Sequence, residues 1–313
     1  MRWRSRKDPA TTEYATALEQ LGSADLDIRL GGIESLGRLM AGSRRDRRAV
    51  IDALSIFVRH RAPRSQATPG SGSAHALPPE QPTGAPRPAA DVEAAMTVLN
   101  RRPARIATYR FSLRHTNLAG LELPPSPRNT TAGGLAGVDL TGADLTRARL
   151  DGVRLSEARL AGANLGGATL IGASLYQSDL SDALLEGANL TRAGLGEVSL
   201  ARAWLDGADL TGAYLGSTDL TDASLAGAVL AGATLDEAFL ARADLDGTDL
   251  MKVRLLTPQQ LAMARLTETT KLDPKLAKHP LVIARRAACQ AGLTAQERRP
   301  GGGQVGWNDG LYG

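Results

Sequence analysis

Aromatic side chains are scarce: Phe, Trp and Tyr make up only 4% of the 313 residues. Conventional cores lean on such rings for buried area, so this core should be of another kind. Cys289 is the only cysteine, which excludes an internal disulfide framework. No run of about 18 apolar residues occurs, so nothing reads as a membrane-spanning helix. The opening MRWRSRKDPATTEY lacks the apolar stretch of a secretory signal. The expectation is a cytoplasmic protein, with peripheral membrane association left open. Catalytic chemistry is thin as well. His60, His75, His115 and His279 lie far apart, and none has metal-ligand spacing with Cys289. There is no phosphate-binding loop, dinucleotide fingerprint or nucleophile elbow. Acid pairs such as Asp236–Glu237 and Asp244/Asp246 read as lying on a convex surface without a pocket. No catalytic, cofactor-binding or metal-binding residue is expected, and an enzyme is disfavoured.

What is present is a period. Leucine recurs every fifth residue from Leu135 to Leu255, 25 times without a miss. Two residues before each leucine stands a small one, usually alanine (Ala143, Ala148, Ala163); the exceptions are Gly133, Val138, Val153, Ser178, Val198, Thr218, Thr248 and Val253. Five matches neither the helical period of 3.6 nor the strand period of 2, so the segment reads as a solenoid. The stretches GADLTRARL, AGANLGGATL and GADLTGAYL resemble the pentapeptide-repeat family, written A(D/N)LXX. The resemblance implies a right-handed quadrilateral β-helix, with one pentapeptide on each of four faces and residues 20 apart stacked at strand spacing of about 4.8 Å. Leucine and the small residue point inward, and the other three positions face water.

The remaining chain is expected to frame this column. Residues 1–61 read as an α-helical region, with apolar stripes Tyr14/Leu18/Leu21, Leu26/Leu30/Ile33/Leu36/Met40 and Val50/Ile51/Leu54 with Phe57 or Val58. The stretch EQLGSADLDIRLGGIESLGRLM is similar to the HEAT/armadillo-like helical segment that often precedes the repeats in actinobacterial members. Residues 62–90, rich in Pro, Ala, Gly and Ser, read as a disordered linker, and 91–104 as a further helix of the same region. The β-helix proper is expected over 105–256. Phe111/Leu113, Thr116/Leu118 and Leu121/Leu123 carry the same pairing out of phase with Leu135, so 124–134 reads as an inserted loop. A solenoid end exposes unpaired backbone and needs a cap. Residues 257–299 are expected to form a helical one, opening after Thr257 with Pro258 in its first turn, and Leu261 and Leu266 plugging the coil. Residues 300–313 read as a tail.

Four columns emerge at 20-residue spacing. Gly167, Gly187, Gly207, Gly227 and Gly247 occupy one corner, where positive φ is expected. Asp182, Arg202, Asp222 and Arg242 alternate in sign at another and are assigned a structural, register-fixing role. A third column, Asp144, Asn164, Leu184, Trp204, Ser224, Asp244, places Leu184 and Trp204 together where Asp or Asn is usual, with Glu186, Asp206, Asp244 and Asp246 on the same face. That face is the candidate protein-docking site; the competing reading has Trp204 covered by the loop, the linker or a terminal segment. The fourth, Glu157, Gln177, Glu197, Ser217, Glu237, reads as solvated surface. Tyr176, Tyr214, Val229 and Phe239 are placed on different sides, forming no common patch.

Two functions follow. The preferred one is a non-catalytic scaffold for protein–protein interaction, its partner unidentified. The alternative comes from the resemblance: some members bind DNA gyrase by imitating duplex DNA and so confer resistance to gyrase poisons. Residues 160–250 carry 13 acids against Arg192, Arg202 and Arg242, a net of −10. Spread over roughly 22 Å, that is one charge per ~2.2 Å, against one per ~1.7 Å in B-DNA. Arg147, Arg149, Arg154 and Arg159 in the first coils, and a basic segment after the column, weigh against mimicry. Direct nucleic-acid binding through the basic ends, such as Arg44, Arg45, Arg47 and Arg48, is disfavoured.

Overall fold

A computed structural model describes residues 9–64, 87–103, 109–126 and 133–292. Most of the expected linker (65–86), the middle of the inserted loop (127–132) and the tail from 300 lie outside the described residues.

Between residues 133 and 254 the chain winds as a four-sided column. From Asp139 to Thr234, each outward residue before a leucine bridges its counterpart 20 residues on, in parallel: Asp144 with Asn164, Arg149 with Thr169, Arg154 with Ser174, Arg159 with Asp179. These four define the first to fourth faces. The opening coil pairs Ser112 with Asp139, Asn117 with Asp144 and Glu122 with Arg149, a spacing of 27 that accommodates the loop. Every leucine of the five-residue period from Leu135 to Leu250 is 2% exposed or less, and the small residue between successive leucines is buried with it. Each buried leucine stabilises the fold by about 1.5–3 kcal/mol. Leu255 departs from the period. It is 60% exposed with φ of 57°, because the chain turns out of the coil there to start a helix, and Leu256 is buried instead.

The repeat satisfies its own backbone. Asn164 N–H donates to Ala143 O one coil back, and Leu165 N–H to Leu184 O one coil on. Ala168 N–H closes the corner onto Leu165 O (2.9 Å), while Gly167 N–H reaches Glu186 O in the next coil (2.9 Å). The fifth donor, Gly166 N–H, is taken by Asn164 Oδ1 at 3.0 Å. Asp144, Asp179, Asp209 and Asp219 do the same for the residue two ahead. Asp or Asn recurs before the leucine because it alone completes this accounting from within the repeat. The second corner residue is left-handed in every coil: Gly167, Gly187, Gly207, Gly227 and Gly247 have φ of 62–67°, and Arg147, Gln177, Asp182, Glu197 and Arg202 adopt the same conformation. Such a residue costs about 1–2 kcal/mol when it is not glycine; its N–H bond to the next coil holds it in place.

Four helices sit on the N-terminal end: α1 (Pro9–Leu21), α2 (Leu26–Gly42), α3 (Arg47–Arg61) and α4 (Ala90–Asn100). Asp25 caps α2, accepting from the Asp27 and Ile28 N–H groups. Ile33, Leu36, Val50, Leu54, Val92, Met96 and Leu99 form a continuous core. Buried Asp91 binds Arg29 at 2.7 Å and Arg61 at 3.1 Å, tying α4 to α2 and α3. Leu18 and Leu26, expected on buried stripes, are 37% and 41% exposed; for Leu18 the reason is a groove left open between α1 and α3. The bundle joins the column through Asn117 N–H to Ala62 O (2.7 Å), Arg64 N–H to His115 O (2.9 Å) and the Arg59 guanidinium to Ser112 O (2.6 Å).

At the other end α5 (Pro258–Met263) opens with a capping box between Thr257 and Gln260. It takes the place of one side of a coil. The chain then resumes the ladder, Arg265 beside Asp244 and Lys271 beside Asp249, before α6 (Pro274–Ala277) and α7 (Pro280–Gln290). Leu261 and Leu266 are fully buried. No helix among the described residues is long and apolar enough to cross a membrane.

Candidate docking surfaces

The outward positions are where this column can meet a partner, since its interior is filled. On the first face Leu184 and Trp204 are bridge partners in adjacent coils, and both are half-buried. Neither side chain carries the oxygen that caps a corner N–H elsewhere, so two consecutive coils give up that device here. The acids expected around them are engaged structurally. Asp206 accepts from the Ser224 hydroxyl and from Ala226 N–H, replacing the cap that Ser224 does not make. Asp244 accepts from Asp246 N–H at 3.1 Å and pairs with Arg265 at 2.7 Å. Asp246 accepts from Thr267 and Thr269, hydroxyl bonds that hold its carboxyl below the usual range. Half-buried Glu186 follows Leu184 at the same corner. The described ends of the inserted loop lie elsewhere: Pro125 touches Gly152 and the Ser126 hydroxyl accepts from Arg154 N–H, at the corner between the second and third faces.

The corner between the fourth and first faces holds two bidentate clamps. Arg202 grips Asp182 (2.7 and 2.7 Å) and Arg242 grips Asp222 (2.8 and 2.6 Å). The Asp182 carboxylate raises the Arg202 pKa further. These pairs are exposed and worth about 0.2–1 kcal/mol each; they tie one coil to the next.

The corner between the third and fourth faces differs from expectation. Tyr176 and Tyr214, assigned to separate sides, meet there. A Cβ on Gly196 would stand 2.8 Å from Tyr214 Cε1 and 3.4 Å from Tyr176 Cδ2, so the rings flank one bare stretch of backbone. The Tyr214 ring continues over Gly216, where a Cβ would come within 2.6 Å of Cζ. Tyr176 is 43% and Tyr214 52% exposed. The signal was in the period-20 columns: Tyr176, Gly196 and Gly216 stack in one, Gly194 and Tyr214 in the next. It was missed because the tyrosines are 38 residues apart, not a multiple of 20.

Two further concavities are worth naming. An apolar groove of about 580 Å³ between α1 and α3 is lined by Tyr14, Leu18, Leu21, Ala53, Ile56 and Phe57. A polar cleft of about 310 Å³ contains Arg110, Glu157, Arg159, Gln177 and Asp179. Among the described residues no group of three or more His, Cys, Asp or Glu side chains is placed to hold a metal ion.

The family model of pentapeptide repeats matches this chain in 8 copies, over residues 135–170, 154–192, 193–227 and 213–251. Among solved structures, the chain is similar to Rfr23, a pentapeptide repeat protein from the cyanobacterium Cyanothece 51142, at 31% identity over 52% of this chain and 91% of that one, with a TM-score of 0.16. It is similar to HetL, a pentapeptide repeat protein involved in heterocyst differentiation regulation from Nostoc sp. strain PCC 7120, at 24% identity over 50% and 90%, TM-score 0.24. A third is QnrB1, a plasmid-mediated fluoroquinolone resistance protein, at 19% identity over 56% and 82%, TM-score 0.36. No curated protein sequence matches the chain.

Proposed function

Since the chain belongs to the pentapeptide-repeat family, whose fold is a right-handed β-helix, we propose that it is a non-catalytic scaffold that binds another protein. The carrying observation is the Leu184–Trp204 pair. Both positions ordinarily supply a backbone cap, and replacing the capping oxygen with outward apolar side chains brings the interior nothing. A large aromatic beside an aliphatic residue, with Glu186 at its edge, has the chemistry of a docking anchor. Asp206, Asp244 and Asp246 then act by holding the face rigid, since their oxygens are committed within the column. The HEAT/armadillo-like helical region, with its groove between α1 and α3, is the second surface of this reading. A cytoplasmic setting belongs to the same proposal.

The test is affinity capture from native lysate with mass spectrometry, wild type against the Leu184→Asp/Trp204→Asp double variant. Circular dichroism would first show that the variant is folded. A partner retained by wild type and lost by the variant supports this face; identical lists from both would count against it.

A second reading, a DNA-like surface directed at DNA gyrase, draws on the spread of carboxylates round the column: Glu186 on the first side, Asp209 on the second, Glu197 at the third corner, Asp219 on the fourth. Binding to purified gyrase that collapses between low and high salt would favour it, whereas docking on Leu184 and Trp204 should survive the change.

A further inference from the structure

The tyrosine corner carries an inference of its own. The third face has no Asp or Asn at its outward position: it reads Arg154, Ser174, Gly194, Tyr214, Thr234, Arg254, so the capping device used on the other faces is absent throughout. Its centre is paved with glycine instead. Without side chains at Gly194, Gly196 and Gly216, the Tyr214 ring can lie against the backbone at the latter two, keeping half its surface open. Tyr176 is fixed in turn: its hydroxyl donates to Glu197 Oε1 at 2.5 Å, and Gln177 Nε2 donates to Glu197 Oε2 at 2.8 Å. Two aromatic surfaces are thus held in place before any ligand arrives, which removes part of the ordering cost of binding. Between Ser174 and Glu237 this face and its following corner carry Glu197, Asp236 and Glu237, all exposed, and no Lys or Arg.

We propose that this corner binds arginine side chains presented by an extended, basic segment of a partner protein. A guanidinium stacks on tyrosine through its plane and through attraction to the ring quadrupole, while the carboxylates nearby supply the opposite charge and accept its hydrogen bonds. An apolar partner would leave those carboxylates to be desolvated without compensation, and a nucleic acid would be repelled by them. The surface is separate from the Leu184–Trp204 face, so the proposal goes beyond the scaffold reading and does not need that face to be the docking site.

The experiment is fluorescence anisotropy of labelled hexa-arginine, hexa-lysine and hexa-citrulline peptides against the full chain. Hexa-arginine should bind more tightly than hexa-lysine, and hexa-citrulline not at all. Tyr176→Ala/Tyr214→Ala should weaken hexa-arginine about tenfold, and Glu197→Gln several-fold. Gly196→Ala leaves every charge in place and requires no left-handed backbone, yet it must displace Tyr214; it too should weaken binding. Glu186→Gln and Asp206→Asn, on the first face, should change nothing, and thermal melts would show each variant folded. No binding by wild type, equal binding by the tyrosine double variant, or losses that follow the first-face carboxylates would each overturn the proposal. None of these outcomes bears on the Leu184/Trp204 capture experiment, so the two can fail separately.

Discussion

The two ends of the column are chemically unlike, and the ladder explains why. Within it, the residue before each leucine and the first corner residue offer their carbonyls to the preceding coil. Each leucine and second corner residue sends its N–H to the next coil. The first coil is therefore left with two carbonyls and one N–H per face, and the last with two N–H groups and one carbonyl. The N-terminal end is answered by donors. Arg102, fully buried, donates Nε to Gly134 O at 2.8 Å and Nη1 to Tyr109 O at 2.9 Å, and Nη2 to Ala136 O. Burial lowers its pKa to about 10, still far above neutrality, and its guanidinium lies 4.8 Å from the Phe111 ring centroid. Arg59 does the same for Ser112 O. At the C-terminal end the acceptors are backbone carbonyls: Leu245 N–H finds Arg265 O, Leu250 N–H finds Lys271 O, and Arg242 N–H finds Met263 O. The single carbonyl left over on the fourth face, Ala238 O, is taken by Gln260 Nε2 at 3.0 Å. One end is closed by arginine side chains, Arg102 buried and Arg59 half-buried, the other by continued chain.

That contrast can be broken most forcefully at Arg102. Arg102→Met roughly keeps the volume and removes the donor to three carbonyls, one of them on buried Gly134, which should cost about 3–5 kcal/mol in urea unfolding. Hydrogen exchange should show the loss centred on residues 109–145. A cost no larger than that of Arg110→Met, at an exposed site, would remove the case for a donor plug. Next in size, Leu261→Ala should cost about 2–5 kcal/mol by opening a cavity under α5, with exchange rising over 230–266 and unchanged at the first coils. Gln260→Ala removes the capping box and the donor to Ala238 O, and should cost about 1–2 kcal/mol in the same assay. The smallest effect concerns acid. Because the Asp246 carboxyl is held low in the fold by Thr267 and Thr269, it stabilises the C-terminal cap above the unfolded carboxylate value of about 3.9. That contribution should be lost as pH falls below this value through the folded one. Asp246→Asn should flatten the acid side of the stability profile, with no counterpart at the Arg102 end.

Much of this was legible in the sequence, for a physical reason. A repeat that buries its leucine and small residue writes the same constraint every five positions, so the column from Leu135 to Leu250 and its left-handed glycine corner can be read locally. The Thr257–Gln260 start of α5 is equally local. Where a position answers to a neighbour in space the reading failed or fell silent. Leu255 keeps the period but not the burial, since the chain has already turned away. Leu18 fits an apolar stripe but borders an open groove. Asp206 and Asp246, placed on the docking face, are spent on a corner N–H group and on hydroxyls.

The leucine period by itself marked a solenoid and which side chains point inward, because each five-residue unit meets the same constraint, and the resemblance to pentapeptide repeats implied its four sides. Only the tertiary structure decided how the ends are closed and which outward residues meet. Those outcomes depend on backbone groups left over by the ladder, and on rings laid sideways across glycines from different coils. Neither is written in the order of residues along one repeat.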